Sequence, residues 1–213
     1  MTQPTDINTL SSIESLQAIN GEPSASTQLK ILKKLEAYAI NFIERSPFLV
    51  IASGSTGALD ASPRGDAPGF VKVLDDTTIL IPERPGNRIA DTLTNIVEQP
   101  AVGLILMIPG MNETLRINGL AYITDHAPYL DQLHHKNKAP KLAIVVDIQQ
   151  VYFHCAKAFI RSNLWDQDHQ MPRDQMPTLG KILVEQNKGQ PASAEETAGV
   201  DANLDADTKE NLY

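Results

Sequence analysis

The chain has 213 residues, 42% hydrophobic and 21% charged, with a formal net charge of −8; this suffices for one domain with a buried core and excludes fibrous, collagen-like and wholly disordered chains. The longest uncharged apolar run, AVGLILMIPG at 101–110, is about half of the ~20 residues that a bilayer demands, so no membrane partner is expected. The acidity is uneven: residues 1–27 carry −3, residues 191–213 carry −5, and residues 28–190 balance 17 basic against 17 acidic side chains.

Both ends are poor in aromatics and rich in Ser, Thr, Asn, Ala and Gln, which leaves little apolar area to offset the entropy of ordering. The expected organisation is therefore a mobile acidic N-terminal tail (1–27), one folded domain (28–190) and a mobile acidic C-terminal tail (191–213). A single cysteine, Cys155, excludes an internal disulfide, and MTQPTDINTL has neither a basic nor an apolar leader region. A cytoplasmic location is expected.

In chain order, Leu32, Leu35, Ala39, Phe42 and Ile43 recur at helical spacing, predicting a helix over Leu29 to Arg45 that Ser46-Pro47 ends. From Phe48 the pattern becomes short β-type runs: 48–53, 58–62, 70–74 and 77–81, with a tight hairpin at Asp75-Asp76. A second helix is predicted over Asn87 to Glu98, with Asn87 as N-cap and Ile89, Leu93, Ile96 and Val97 on one face. Strands follow at 101–108 and 114–123, then a short helical stretch near 129–135, a strand at 142–148, an ordered stretch at 151–165 and a helix at 178–186. About seven short strands with few helices between them predict a mainly β domain, an antiparallel barrel with flanking helices.

Nucleotide-binding and hydrolase signatures (GxGxxG, GxxxxGK[ST], GxSxG, HExxH) are absent. Neither His154-Cys155 nor His134-His135 forms a chelating pair, because adjacent residues point to different faces; no metal is expected. The basic residues make no extended stripe with interleaved aromatics, so nucleic acid is not an expected partner.

What stands out is cations beside glycines. SPRGDAPG at 62–69 holds one arginine, two glycines and two prolines immediately before a strand, a stiff loop whose backbone can approach a ligand. PERPGNR at 82–88 joins a strand to a helix start, where free N–H groups and two arginines could hold a phosphate; a solvated loop with a helix cap is the alternative. Lys157 and Arg161 share one face if helical. Arg116 lies in a polar stripe with Thr114 and Asn118, either facing a ligand or forming an outward barrel face. Trp165 is either core or a stacking platform.

Five blocks carry a family resemblance: SPF at 46–48, DASPRGDAPGFV at 60–71, IPERPGNR at 81–88, ETLRING at 113–119 and HCAKAFIRSNLW at 154–165. On these the chain resembles the FMN-binding split-barrel flavoproteins related to pyridoxamine 5'-phosphate oxidase, and within them a bacterial subgroup of FMN-dependent, oxidase-type proteins. The resemblance implies a six-stranded antiparallel split β-barrel, assembled as a homodimer with FMN at the subunit interface. It implies that Ser62, Arg64, Gly69, Phe70, Val71 and Lys72 run along the isoalloxazine and ribityl chain. Arg84, Gly86, Asn87 and Arg88 would face the phosphate, and Lys157, Arg161 and Trp165 would close the site from the same or the other subunit. Lys72, Arg116 and Lys157 are candidates to stabilise charge on the reduced ring.

The expected function is an FMN-dependent oxidoreductase that moves hydride at flavin N5 to or from a small substrate or electron donor. No residue is assigned as catalytic acid or base. The alternatives are a flavin carrier or sensor without turnover, and true pyridoxamine 5'-phosphate oxidation. The last is disfavoured because the phosphate helix opens Gly-Asn-Arg where that enzyme has Ser-Arg-Lys, and nothing after Trp165 matches its substrate site.

Overall fold

In a computed structural model, which describes residues 7–55, 57–86 and 90–213, the chain begins with two short helices, α1 (Ile13–Asn20) and α2 (Ala25–Leu29). Each is started by a serine: Ser12 Oγ accepts from Ser15 N–H, and Ser24 Oγ from Thr27 N–H. The helix expected over Leu29 to Arg45 is shorter, α3 spanning Ala37–Arg45. Leu32 and Leu35 fit its periodicity but lie in extended chain. Leu32 exchanges two backbone hydrogen bonds with Val151, at 3.0 and 2.8 Å, and Leu35 N–H donates to Asp76 C=O at 2.7 Å. The Glu36 carboxylate then starts α3 by accepting from Tyr38 and Ala39 N–H, both at 2.8 Å. α3 buries Ala39, Phe42 and Ile43.

The strands are β1 (Phe48–Ser55), β2 (Ala58–Gly65), β3 (Lys72–Val73), β4 (Thr78–Glu83), β5 (Ala101–Met107), β6 (Thr114–Thr124) and β7 (Leu142–His154). They form one antiparallel sheet in the order β2-β1-β5-β6-β7-β4-β3. The pattern of about seven short strands agrees with the seven of the sheet, whereas the resemblance implied six in a split barrel; among the described residues no ladder joins the two edges of the sheet. The predicted hairpin is present: Leu74 N–H donates to Thr78 C=O at 2.9 Å, and Asp75 Oδ1 accepts from Thr77 N–H at 2.8 Å. β3 is reduced to two residues because Phe70 and Val71 turn into the core.

The core lies on the face of the sheet that α3 covers, where Ile51, Leu104, Leu106, Leu115, Ile117, Ile144 and Val146 are essentially inaccessible and meet Phe42 and Ile43 of α3. Each such side chain contributes ~1.5–3 kcal/mol. β6 bulges at Asn118/Gly119, and Gly119 is required there because a Cβ would overlap the Asp147 carbonyl oxygen.

Between β4 and β5 lies α4 (Asp91–Glu98), entered from Ala90 in the left-handed region (φ 60°); the predicted start at Asn87 falls outside the described residues. The stretch near 129–135 is α5 (Ala127–Leu130) with a following 3-10 turn. α6 (Lys157–Ser162) follows β7, and α7 (Leu179–Lys188) follows later, close to the prediction. α8 (Ala194–Glu210) opens on a capping box between Ser193 and Glu196. It packs on α7, where Asp201 Oδ1 accepts from Gly180 N–H at 2.9 Å.

Candidate functional site

β2 and β4 place two arginine–carboxylate pairs side by side. Arg64, at the end of β2, donates to Ser62 Oγ and to the Pro63 carbonyl, both at 2.9 Å, and its Nη2 is 3.1 Å from Glu83 Oε2 at the end of β4. One residue on, Arg84 Nε donates to Asp66 Oδ2 at 2.8 Å. The Asp66 carboxylate is 2% exposed and its other oxygen accepts from Ala67 N–H at 2.7 Å and from the Tyr213 hydroxyl at 3.1 Å. Burial alone would raise the Asp66 pKa; these donors and the Arg84 charge outweigh it and hold the carboxyl below its ordinary range. Glu83 is the opposite case, where burial dominates the pull of Arg64 and pushes the carboxyl up.

Ser62, Arg64 and Gly65 are strand residues rather than loop residues, so the predicted loop shrinks to Asp66–Val71. Gly69 adopts φ +82°, a conformation that favours glycine. Phe70 and Val71 put their side chains into the core and leave only their backbone to meet a ligand. Lys72 stands opposite Leu80 and is half-buried. Gly86 is exposed next to Arg84, and Asn87 and Arg88 lie outside the described residues.

Arg116 is on the face of β6 opposite buried Leu115 and Ile117. Its guanidinium lies over the Tyr152 ring, 5.3 Å from the centroid, and its Nε is buried with no hydrogen-bond partner. Around it on that side Ile105, Leu120 and Tyr122 are 38–46% exposed.

A third group follows β7. Lys157 and Arg161 share α6 and are both exposed; Trp165 stacks on Phe159 at 5.7 Å and donates from Nε1 to the Met111 carbonyl at 2.7 Å. Glu83 is opposite Leu142 at the start of β7, whereas Lys157 follows His154 at its end; through β1, β5 and β6 the register puts Arg64 in line with Leu49, Leu106, Leu115 and Phe153, at the end of β7 from which α6 leads. No hydrogen bond or ion pair among the described residues joins the two groups.

The residues that pattern reasoning passed over are Asp66, Glu83, His135 and Tyr213. Asp66 and Glu83 had a readable signal, a carboxylate next to or two places from an arginine in each basic block. Tyr213 had none, since its contacts with residues 66, 84 and 135 are set by tertiary structure alone.

Residues 36–155, more than half of the chain, match the sequence model of the family described as Pyridoxamine 5'-phosphate oxidase. No curated protein matches the chain. Similar solved structures include Group A Streptococcus HupZ, at 14% identity and a TM-score of 0.46, covering 56% of this chain and 93% of that one. General Stress Protein 26 from Bacillus anthracis gives 14%, 0.42, 54% and 89%. The FAD binding protein from Mycobacterium smegmatis gives 13%, 0.40, 58% and 97%.

Proposed function

Since the chain belongs to the pyridoxamine 5'-phosphate oxidase family, we propose that it is a homodimeric, FMN-binding oxidoreductase acting on a small substrate. The observation that carries the reading is Arg116. A buried guanidinium N–H without an acceptor costs ~1–3 kcal/mol, and a carbonyl or anionic ring atom resting on that face of β6 would satisfy it. The residues therefore fit a flavin. A bound flavin would supply hydride transfer at N5.

The remaining roles belong to the protein. Arg84, whose Nη atoms are not taken by Asp66, would hold the phosphate together with Gly86, Asn87 and Arg88. Ser62, Arg64 and Gly69 would line the ribityl path, with the backbone of Phe70 and Val71. Arg116, helped by Lys72 and Lys157, would stabilise negative charge at the pyrimidine end. Lys157, Arg161 and Trp165 would close the site from the same or a second copy. Half-exposed Ile105, Leu120 and Tyr122 give that copy an apolar face to cover. The exposed thiol of Cys155 suits a reducing, cytoplasmic setting.

Fluorescence titration with FMN tests the reading: saturable quenching is expected, weakened by ~1.5–3 kcal/mol in Arg116→Gln. Equal affinity in the variant would remove Arg116 from the site. A flavin-binding module without turnover is favoured by one observation, the Tyr213 ring lying against Arg84 and Asp66. Absence of flavin reduction by NADH, NADPH or a reduced deazaflavin would select it.

A further inference from the structure

Between the arginine pairs and the turn after α5 lies a slot that is already filled. The Tyr213 ring stacks on the His135 ring, centroids 3.8 Å apart and planes within 7°. Its hydroxyl donates to buried Asp66 at 3.1 Å, and the Arg84 guanidinium and Lys136 ammonium lie 5.7 and 5.8 Å from its centroid. Lys138 Nζ also donates to the Tyr213 backbone oxygen at 3.1 Å.

The slot is built rather than incidental. His135 and Lys138 exchange two backbone hydrogen bonds, at 3.0 and 2.9 Å, across a tight turn in which Lys136 and Asn137 hold φ of 44° and 66°. A lysine in the left-handed region costs of order 1 kcal/mol, and the turn that imposes it aims His135 and Lys136 at one aromatic ring and Lys138 at the backbone oxygen of the same residue. Asp66, 2% exposed, supplies a fixed acceptor, while His135 Nε2 is buried and unpartnered.

We propose that Asp66, Arg84, His135 and Lys136 form a binding site for a planar aromatic ring bearing a hydroxyl, which the chain fills with its own Tyr213. The chemistry of the occupant defines the class: a flat ring for the imidazole, a hydroxyl for Asp66, and π-density for the cations. α7 and α8 pack chiefly on each other, and Tyr213 fastens this arm to the sheet at Asp66 and Arg84. A free ligand of this class competes with Tyr213. These contacts make the site whether or not the protein binds flavin.

The test uses the full chain and 4-methylphenol, followed through the His135 ring resonances. In Tyr213→Ala the compound should bind saturably and shift those resonances. In the intact protein its binding should be at least about tenfold weaker, because the seated ring must first leave. Tyr213→Phe, which keeps the ring and loses only the hydroxyl, should fall between the two and guards against a Tyr213→Ala variant that fails to fold. No saturable shift in folded Tyr213→Ala, or equal affinity in Tyr213→Phe and the intact protein, would overturn the proposal.

Discussion

Arg64 and Glu83 join the two sides of the sheet where no strand pairing does. β3 covers β4 only as far as Leu80, and beyond it the 3.1 Å ion pair links the end of β4 to the end of β2. Their side chains are 14% and 24% exposed, so the pair is largely removed from water. Removing Arg64 strands a half-buried carboxylate, and Arg64→Ala should cost ~3 kcal/mol at neutral pH. Because the folded Glu83 pKa lies above its ordinary 4.5, that cost should shrink as pH falls through the folded value and Glu83 takes up a proton. Denaturant unfolding at several pH values checks both. Glu83→Gln, which keeps an acceptor for Arg64 and removes the charge, should be nearly neutral.

Asp66 gives the opposite slope. Its folded pKa lies below its ordinary 3.8, so the stability it contributes is present above that value and is lost as pH falls through the folded one. Asp66→Asn should flatten the acid limb of the stability profile below about pH 4. An unchanged acid limb would mean that other carboxylates carry it.

Arg84→Ala and Arg88→Ala should each weaken FMN binding by ~1.5–3 kcal/mol if their hydrogen bonds to phosphate are charge-assisted. Arg84→Ala also leaves the buried Asp66 without its main partner. Arg84→Lys, which preserves the charge, separates the loss of binding from the loss of stability. The FMN titration reads all three.

Two glycines test the packing. A Cβ at Gly119 would overlap the Asp147 carbonyl oxygen and come within 3.0 Å of Val146 Cγ1, so Gly119→Ala should destabilise the sheet by ~1–3 kcal/mol. A Cβ at Gly180 would fall on the Asp201 carboxylate. Gly180→Ala should therefore loosen only α7 against α8, seen as faster amide exchange over residues 179–210 with the sheet unaffected.

Strands whose burial follows their own apolar pattern were legible: β1, β5 and β6 fall within two residues of the expected limits. Elements decided by distant partners were not. Leu32 and Leu35 keep helical spacing, yet their N–H groups go to Val151 and Asp76, and so α3 is short. β7 runs six residues past its apolar run because Tyr152 and Phe153 pair with Arg116 and Leu115. In the acidic C-terminal stretch the Ser193…Glu196 capping box was a readable helix start, which composition alone hid. The arginines of the site were visible as cations, but their carboxylate partners were visible only as charges to be counted, and the −8 of the whole chain says nothing about either.

The most direct test of flavin binding is the visible absorption spectrum of the purified protein, completed by titration with FMN. The bands of an oxidised flavin in the purified protein, or saturable binding of one FMN per chain, are predicted. Colourless protein that does not bind added FMN, even after refolding in its presence, would contradict the account.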